Sequence, residues 1–249
     1  MKKYQTLLLL FSITACTFSF AQSTARPVYV IVHGAWGGSW AFKKVDSLLT
    51  EKGNTVYRPS LTGQGERVHL ATTNVGLKTH VTDVVNMILF EDLHDVILVG
   101  HSYGGMVITG VADSLPARIK KLIYLDAFVP ENGESVFTIF GNRADGFKNM
   151  VKDGFIIPPW VAAEQTLPKD VPHPLKTFTD SIVLTNNARP KIATTYILTV
   201  AKETDPAKDD FASQAERAKK KGWTVLQLAA DHNPQWSTPE ALVKMLEEK

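Results

Sequence analysis

The chain has 249 residues, 44% of them hydrophobic and 21% charged, with 27 Lys plus Arg against 25 Asp plus Glu. These figures describe a globular protein long enough for one large domain with a substantial core. The formal charge of +2 lies in Lys2 and Lys3, so from Gln22 onward basic and acidic groups balance, which argues against nucleic acid as a partner. Cys16 is the single cysteine, and this excludes an intrachain disulfide, a CxxC redox pair and a thiolate metal cluster.

Lys2 and Lys3 precede an apolar run from Leu7 to about Phe20, too short for a comfortable membrane span but suited to a secretory h-region. Ser19-Phe20-Ala21 places small residues where a signal peptidase reads them. Residues 1–21 are therefore expected to be a signal peptide, with an exported, periplasmic or secreted mature chain that keeps no integral membrane span. Ile13-Thr14-Ala15-Cys16 also resembles a bacterial lipobox, which would make Cys16 a lipid anchor. The residues after it (Thr17, Phe18, Ser19, Phe20) remain largely apolar rather than forming a polar tether, and this favours cleavage after Ala21.

From Arg26 onward, short β-branched runs alternate with helical patterns, the signal of a parallel sheet covered by helices on both faces. In chain order the strands are expected at Val28–Val32, Thr55–Arg58, Val96–Val99, Lys121–Leu125, Thr195–Val200 and Thr224–Leu228. Helices are expected at Trp40–Lys52 behind Ser39 as a cap, Leu77–Leu89, Gly105–Leu115, Asp209–Lys220 and Pro239–Glu248. Between Phe128 and Arg189, proline and glycine interrupt weak helix patterns while Phe137, Phe140, Phe147, Phe155 and Trp160 supply aromatics. Residues 22–249 thus read as a single domain of about six main strands, with residues 127–190 inserted after the fourth as a cap or lid.

Gly100-His101-Ser102-Tyr103-Gly104 follows the apolar strand Val96–Val99 and leads into Gly105-Met106-Val107-Ile108, which is G-x-S-x-G in its strand, turn, helix context. A serine held on so sharp a turn stands out at the carboxyl edge of the sheet, and Ser102 is the candidate nucleophile. Its hydroxyl needs a base within hydrogen-bond reach. Of seven histidines, His232 directly follows the last expected strand and returns to that same edge. His33 and His101 lie inside other motifs, while His69, His80, His94 and His173 are expected in solvated loops or on helix faces. No HExxH or HxHxDH pattern is present, so no metal is expected.

An acid to orient the imidazole should lie between serine and histidine in chain order. Asp126 ends the apolar run Leu122–Leu125, where a carboxylate needs a reason. Glu203 and Asp205, in the loop after Thr195–Val200, are its rivals. Two backbone N–H groups must point at the oxygen that becomes negative during attack on a carbonyl. Tyr103 supplies one, and Ala35, in Val32-His33-Gly34-Ala35-Trp36-Gly37-Gly38, is the natural second. That glycine-rich loop lacks both G-x-G-x-x-G and the P-loop Lys-Ser/Thr, so a dinucleotide site is not expected.

Together with Leu61-Thr62-Gly63-Gln64-Gly65, Phe128-Val129-Pro130 and Asp231-His232, these segments resemble the α/β-hydrolase superfamily, in the branch of plant methylesterases, hydroxynitrile lyases and small bacterial esterases. The resemblance implies a cofactor-free serine hydrolase with a cap over the site. Similar enzymes usually place the acid one or two residues past the strand ending at Val200, where this chain has Ala201 and Lys202, and this shifts the expectation to Asp126. Similar hydroxynitrile lyases carry threonine at the position of Gly34 and lysine after the histidine, where Asn233 stands here. The expected activity is hydrolysis of small to medium apolar carboxylic esters through an acyl-enzyme. Lactone or amide hydrolysis by the same residues, and a ligand-binding protein without turnover, are the alternatives.

Overall fold

The computed structural model describes residues 26–248. The expected signal peptide and Cys16 anchor lie outside the described residues. In chain order the strands are β1 (Val28–Val32), β2 (Thr55–Tyr57), β3 (Val96–His101), β4 (Ile119–Leu125), β5 (Val151–Lys152), β6 (Phe155–Ile156), β7 (His173–Pro174), β8 (Ala193–Val200) and β9 (Thr224–Ala229). The helices are α1 (Lys43–Glu51), α2 (Leu77–Phe90), α3 (Gly104–Ser114), α4 (Val136–Phe140), α5 (Ala144–Lys148), α6 (Lys176–Thr179), α7 (Ala212–Lys220), α8 (Pro234–Ser237) and α9 (Pro239–Leu246). Six strands form one parallel sheet in the order β2-β1-β3-β4-β8-β9. Among the described residues no helix is long and apolar enough to cross a membrane.

Alternate residues of each central strand enter opposite cores, as the two-residue period of a strand requires. Val30, Val32, Leu98, Leu122, Tyr124, Tyr196 and Leu198 pack with Val84 and Ile88 of α2, Met106 and Val107 of α3 and Ala215 and Ala218 of α7. Tyr29, Ile31, Val99, Ile123, Leu125 and Ile197 pack on the other face with Val45 and Leu49 of α1 and Leu242, Val243 and Leu246 of α9. Burial on both faces explains why these strands read as continuous apolar runs.

The helix starts depart from expectation where a local polar group competes. Ser39 does not cap a helix: Ser39–Phe42 is a 3₁₀ turn, the Ser39 N–H donates to Ser60 Oγ (2.7 Å) and α1 begins only at Lys43. Asp209 stays outside α7 because its carboxylate accepts the Phe211 N–H (2.9 Å), forming a side-chain turn in place of the first helical one. The segment between β4 and β8 carries α4 to α6 and a small antiparallel sheet, β5-β6-β7. Glu134 in this segment receives both guanidinium arms of Arg217 on α7 (2.5 and 2.8 Å).

The position of the site follows from the strand order. After β1 the chain crosses to β2 on one side, and β3 then returns to the other side of β1. The loops leaving β1 and β3 therefore diverge, opening a crevice at the carboxyl end of the sheet between neighbouring strands. Ala35 follows β1, and Ser102 follows β3.

Candidate active site

Ser102 lies at φ +54°, in the left-handed region that a side chain rarely enters. Its N–H donates to Leu125 O (3.1 Å) and its carbonyl accepts from Phe128 N–H (3.1 Å), so the end of β4 holds the turn in place. The turn also needs glycine at position 100, where a Cβ would lie 2.6 Å from Gly104 O. Asp126 takes the same strained form, at φ +44°. Its N–H donates to Ile197 O (2.8 Å) and its Oδ1 accepts from Thr199 N–H (3.2 Å), both on neighbouring β8. The side chain is thereby turned along the sheet edge and almost wholly buried.

His232 connects the two. Its Nδ1 lies 2.6 Å from Asp126 Oδ2 and its Nε2 lies 3.0 Å from Ser102 Oγ. An imidazole that donates through Nδ1 presents the Nε2 lone pair to the serine hydroxyl. The ring is stacked on Phe211 (4.9 Å, 11°), and its carbonyl accepts from His101 Nε2 (2.7 Å). Glu203 and Asp205, the rival acids, are exposed and do not reach His232. Asp205 instead accepts the Ala207 N–H (3.0 Å) at the start of a 3₁₀ turn.

The backbone N–H groups of Ala35 and Tyr103 donate to no other group among the described residues, and both residues line the cavity above Ser102. That cavity has a volume of about 430 Å³ and is walled by Trp36, Phe128, Phe140, Phe147, Trp160, Phe178 and Phe211. A second cavity of about 390 Å³ meets the first at Ser102 and His232. Among the described residues no group of three or more His, Cys, Asp or Glu is placed to hold a metal ion.

Trp36, next to Ala35, is also left-handed (φ +64°), a conformation that stores strain in a bulky residue unless its surroundings impose it. The segment between β4 and β8 supplies that restraint. The Trp36 N–H donates to His173 Nδ1 (3.2 Å), its carbonyl accepts from Val171 N–H (2.9 Å) and its Nε1 donates to Ile156 O (3.0 Å). Its ring meets Phe147, Trp160 and Phe178.

Two histidines expected in solvent are fully buried. His80 Nε2 donates to Thr62 O (2.9 Å), and its Nδ1 receives the Tyr103 hydroxyl (3.0 Å). His173 sits against Tyr103, Trp36 and Phe178. Burial lowers His33 and His80 to about 4 and His101 to about 3, and holds His173 well below the ordinary histidine range, so these rings are neutral. The one sequence sign for His80 was its place in α2, on the face that buries Leu77, Val84 and Ile88. His173 gave none, because its partners come from distant segments.

A serine, imidazole and carboxylate in line, on a six-stranded parallel sheet at its topological switch point, define a class before any comparison. The alpha/beta hydrolase family model matches residues 29–245, and the chain belongs to that family. A carbendazim hydrolyzing esterase of Nocardioides is 53% identical over 111 residues, covering 45% of this chain and 46% of that one. The chain spans about half the length, or less, of the curated relatives it matches. Among solved structures, an extracellular alpha/beta-hydrolase from a Paenibacillus species superposes with a TM-score of 0.75 at 23% identity, covering 88% of this chain and 97% of that one. A methylesterase from Arabidopsis superposes at 0.69 and 24% identity, with 88% and 97% coverage. At these identities the likeness speaks to the fold.

Proposed function

We propose that the chain is a serine hydrolase of carboxylic esters in which Ser102 is the nucleophile, His232 the base and Asp126 the acid. The observation that carries this reading is the unbroken hydrogen-bonded line from Ser102 through His232 to Asp126, at 3.0 and 2.6 Å, on the floor of an apolar cavity. Relatives named as esterases and methylesterases support it. Ser102 Oγ attacks the ester carbonyl as its proton passes to His232 Nε2, and the Ala35 and Tyr103 N–H groups hold the oxyanion. The tetrahedral adduct collapses, and the departing alkoxide oxygen takes the proton from His232. Water then attacks the acyl-enzyme by the same steps, releasing the carboxylic acid and restoring Ser102.

The aromatic lining supports small to medium apolar esters as the substrate class, and the segment at residues 127–190 is the cap over them. Lyase chemistry finds less support. The resemblance implies threonine at position 34 in such lyases, and a Cβ there would lie 3.0 Å from His101 Nδ1 and 3.1 Å from Ser102 Cβ. The test is mass spectrometry after incubation with a fluorophosphonate, comparing the wild type with Ser102→Ala. Stoichiometric labelling mapped to Ser102, and lost in the variant, is expected together with turnover of p-nitrophenyl esters. A folded wild type that takes no label overturns the reading.

A further inference from the structure

The two cavities carry their charge differently. The first is lined by Asp126, Asp209 and Asp210 and by one cation, Arg143, whose guanidinium lies 3.8 Å from Asp210 and also rests over the Phe140 ring. Among the residues lining the second there is no lysine or arginine, while Asp170 contributes a carboxylate. Asp170 is half-buried, and its Oδ2 accepts from Trp160 Nε1 (2.8 Å). Its Oδ1 has no hydrogen-bond partner among the described residues and lies 3.9 Å from where a Cβ on Gly37 would sit. Burial raises this carboxyl from its ordinary value, only partly opposed by the Trp160 hydrogen bond, in keeping with a charge that lacks a cation. The rings of His33 and His101, which also line the cavity, are neutral and supply none.

The chemistry assigns the two cavities to the two halves of an ester. His232 Nε2 must hand its proton to the leaving oxygen, so the leaving group lies on the histidine side of the scissile bond. Asn233 and Trp236, which follow His232 in the chain, line the second cavity and not the first. We propose that the second cavity is the leaving-group subsite, and that Asp170 selects there for alcohols bearing a protonated amine. The proposal rests on the ester-hydrolase reading above. A cationic N–H placed in this cavity meets the unpartnered carboxylate oxygen in a partly desolvated setting, where a charge-assisted hydrogen bond is stronger than in water.

The test compares two isosteric benzoates, the 2-(dimethylamino)ethyl ester, protonated at neutral pH, and the neutral 3-methylbutyl ester. Each is corrected for its rate in buffer. A ratio of kcat/KM values within one preparation is independent of the fraction of active protein. The wild type is expected to favour the cationic ester by about tenfold, and Asp170→Asn to bring the ratio near one. An equal rate on both esters in the wild type, or a preference that survives in Asp170→Asn, overturns the proposal while leaving ester hydrolysis intact. A second pair moves the charge to the acyl side: the ethyl esters of N,N-dimethylglycine and 3-methylbutanoic acid. A preference confined to that pair overturns the assignment of the cavity to the leaving group. Hydrolysis of no ester overturns the underlying reading and this proposal with it.

Discussion

Asp126 is held at positive φ by the neighbouring strand β8, with Ile197 O taking its N–H and Thr199 N–H reaching its Oδ1. Such a conformation persists only where the surroundings over-determine it, and here it directs Oδ2 at His232. Asp126→Asn is expected to lower kcat by about a thousandfold or more, because an amide cannot stabilise the imidazolium and can impose the wrong tautomer. Asp205→Asn, at an exposed turn, is expected to stay within about twofold. Steady-state kinetics on one p-nitrophenyl ester checks both, and the reverse pattern would move the acid to the later loop. The sequence favoured Asp126 but kept Glu203 and Asp205 as rivals, since each follows an apolar strand. Adjacency of β4 and β8 brings both positions to the same edge, and what favours Asp126 is its contact with His232, made by a loop some hundred residues away and so outside any local pattern.

At the level of elements, the restraint on Trp36 bears on the loop that carries the proposed oxyanion donor. The β1 loop carries the Ala35 N–H, yet the three polar partners of the neighbouring Trp36 come from residues 156, 171 and 173. His173→Ala is expected to lower kcat by about tenfold with a smaller change in KM, since one misaligned oxyanion donor weakens transition-state binding more than ground-state binding. His173→Asn places Oδ1 close to where Nδ1 was and is expected to recover part of the loss. Stopped-flow acylation rates for the three proteins separate this from a merely structural role, which would reduce the active fraction and leave the rate of the active molecules unchanged. The strand, turn, helix context of Ser102 and the alternation of strands and helices were legible because they are local patterns of hydrophobicity and glycine. The burial of His80 and His173 was not. Each is buried by segments far away in the chain, and proline and glycine obscure any period around His173.

For the whole molecule, the buried histidines set a dependence on acidity. His33 and His80 titrate at about 4 and His101 at about 3 when folded, against about 6.5 when the chain is unfolded. Below 6.5 the unfolded chain therefore binds more protons than the folded one. The stability these neutral rings contribute is fully present above about pH 6.5 and is lost as the pH falls from there toward about 4 for His33 and His80 and about 3 for His101. The Tm is expected to drop by about 10 °C or more between pH 7 and pH 5. A melting curve that stays flat over that range contradicts the assignment of these rings as neutral and buried.

The dependence of Trp36 on residues 156, 171 and 173 also constrains how this chain can diversify. The segment that supplies those partners also supplies Phe140, Phe147, Trp160 and Phe178 to the wall of the first cavity. Under the proposed function, a lineage that altered the segment to admit a new molecule would disturb the restraint on Trp36 with the same substitutions, so that substrate range and turnover would be inherited together. Recombination that grafts in a foreign segment would have to bring matching acceptors for the tryptophan, and variants that keep those three positions while changing the aromatic wall are the accessible route to new preferences.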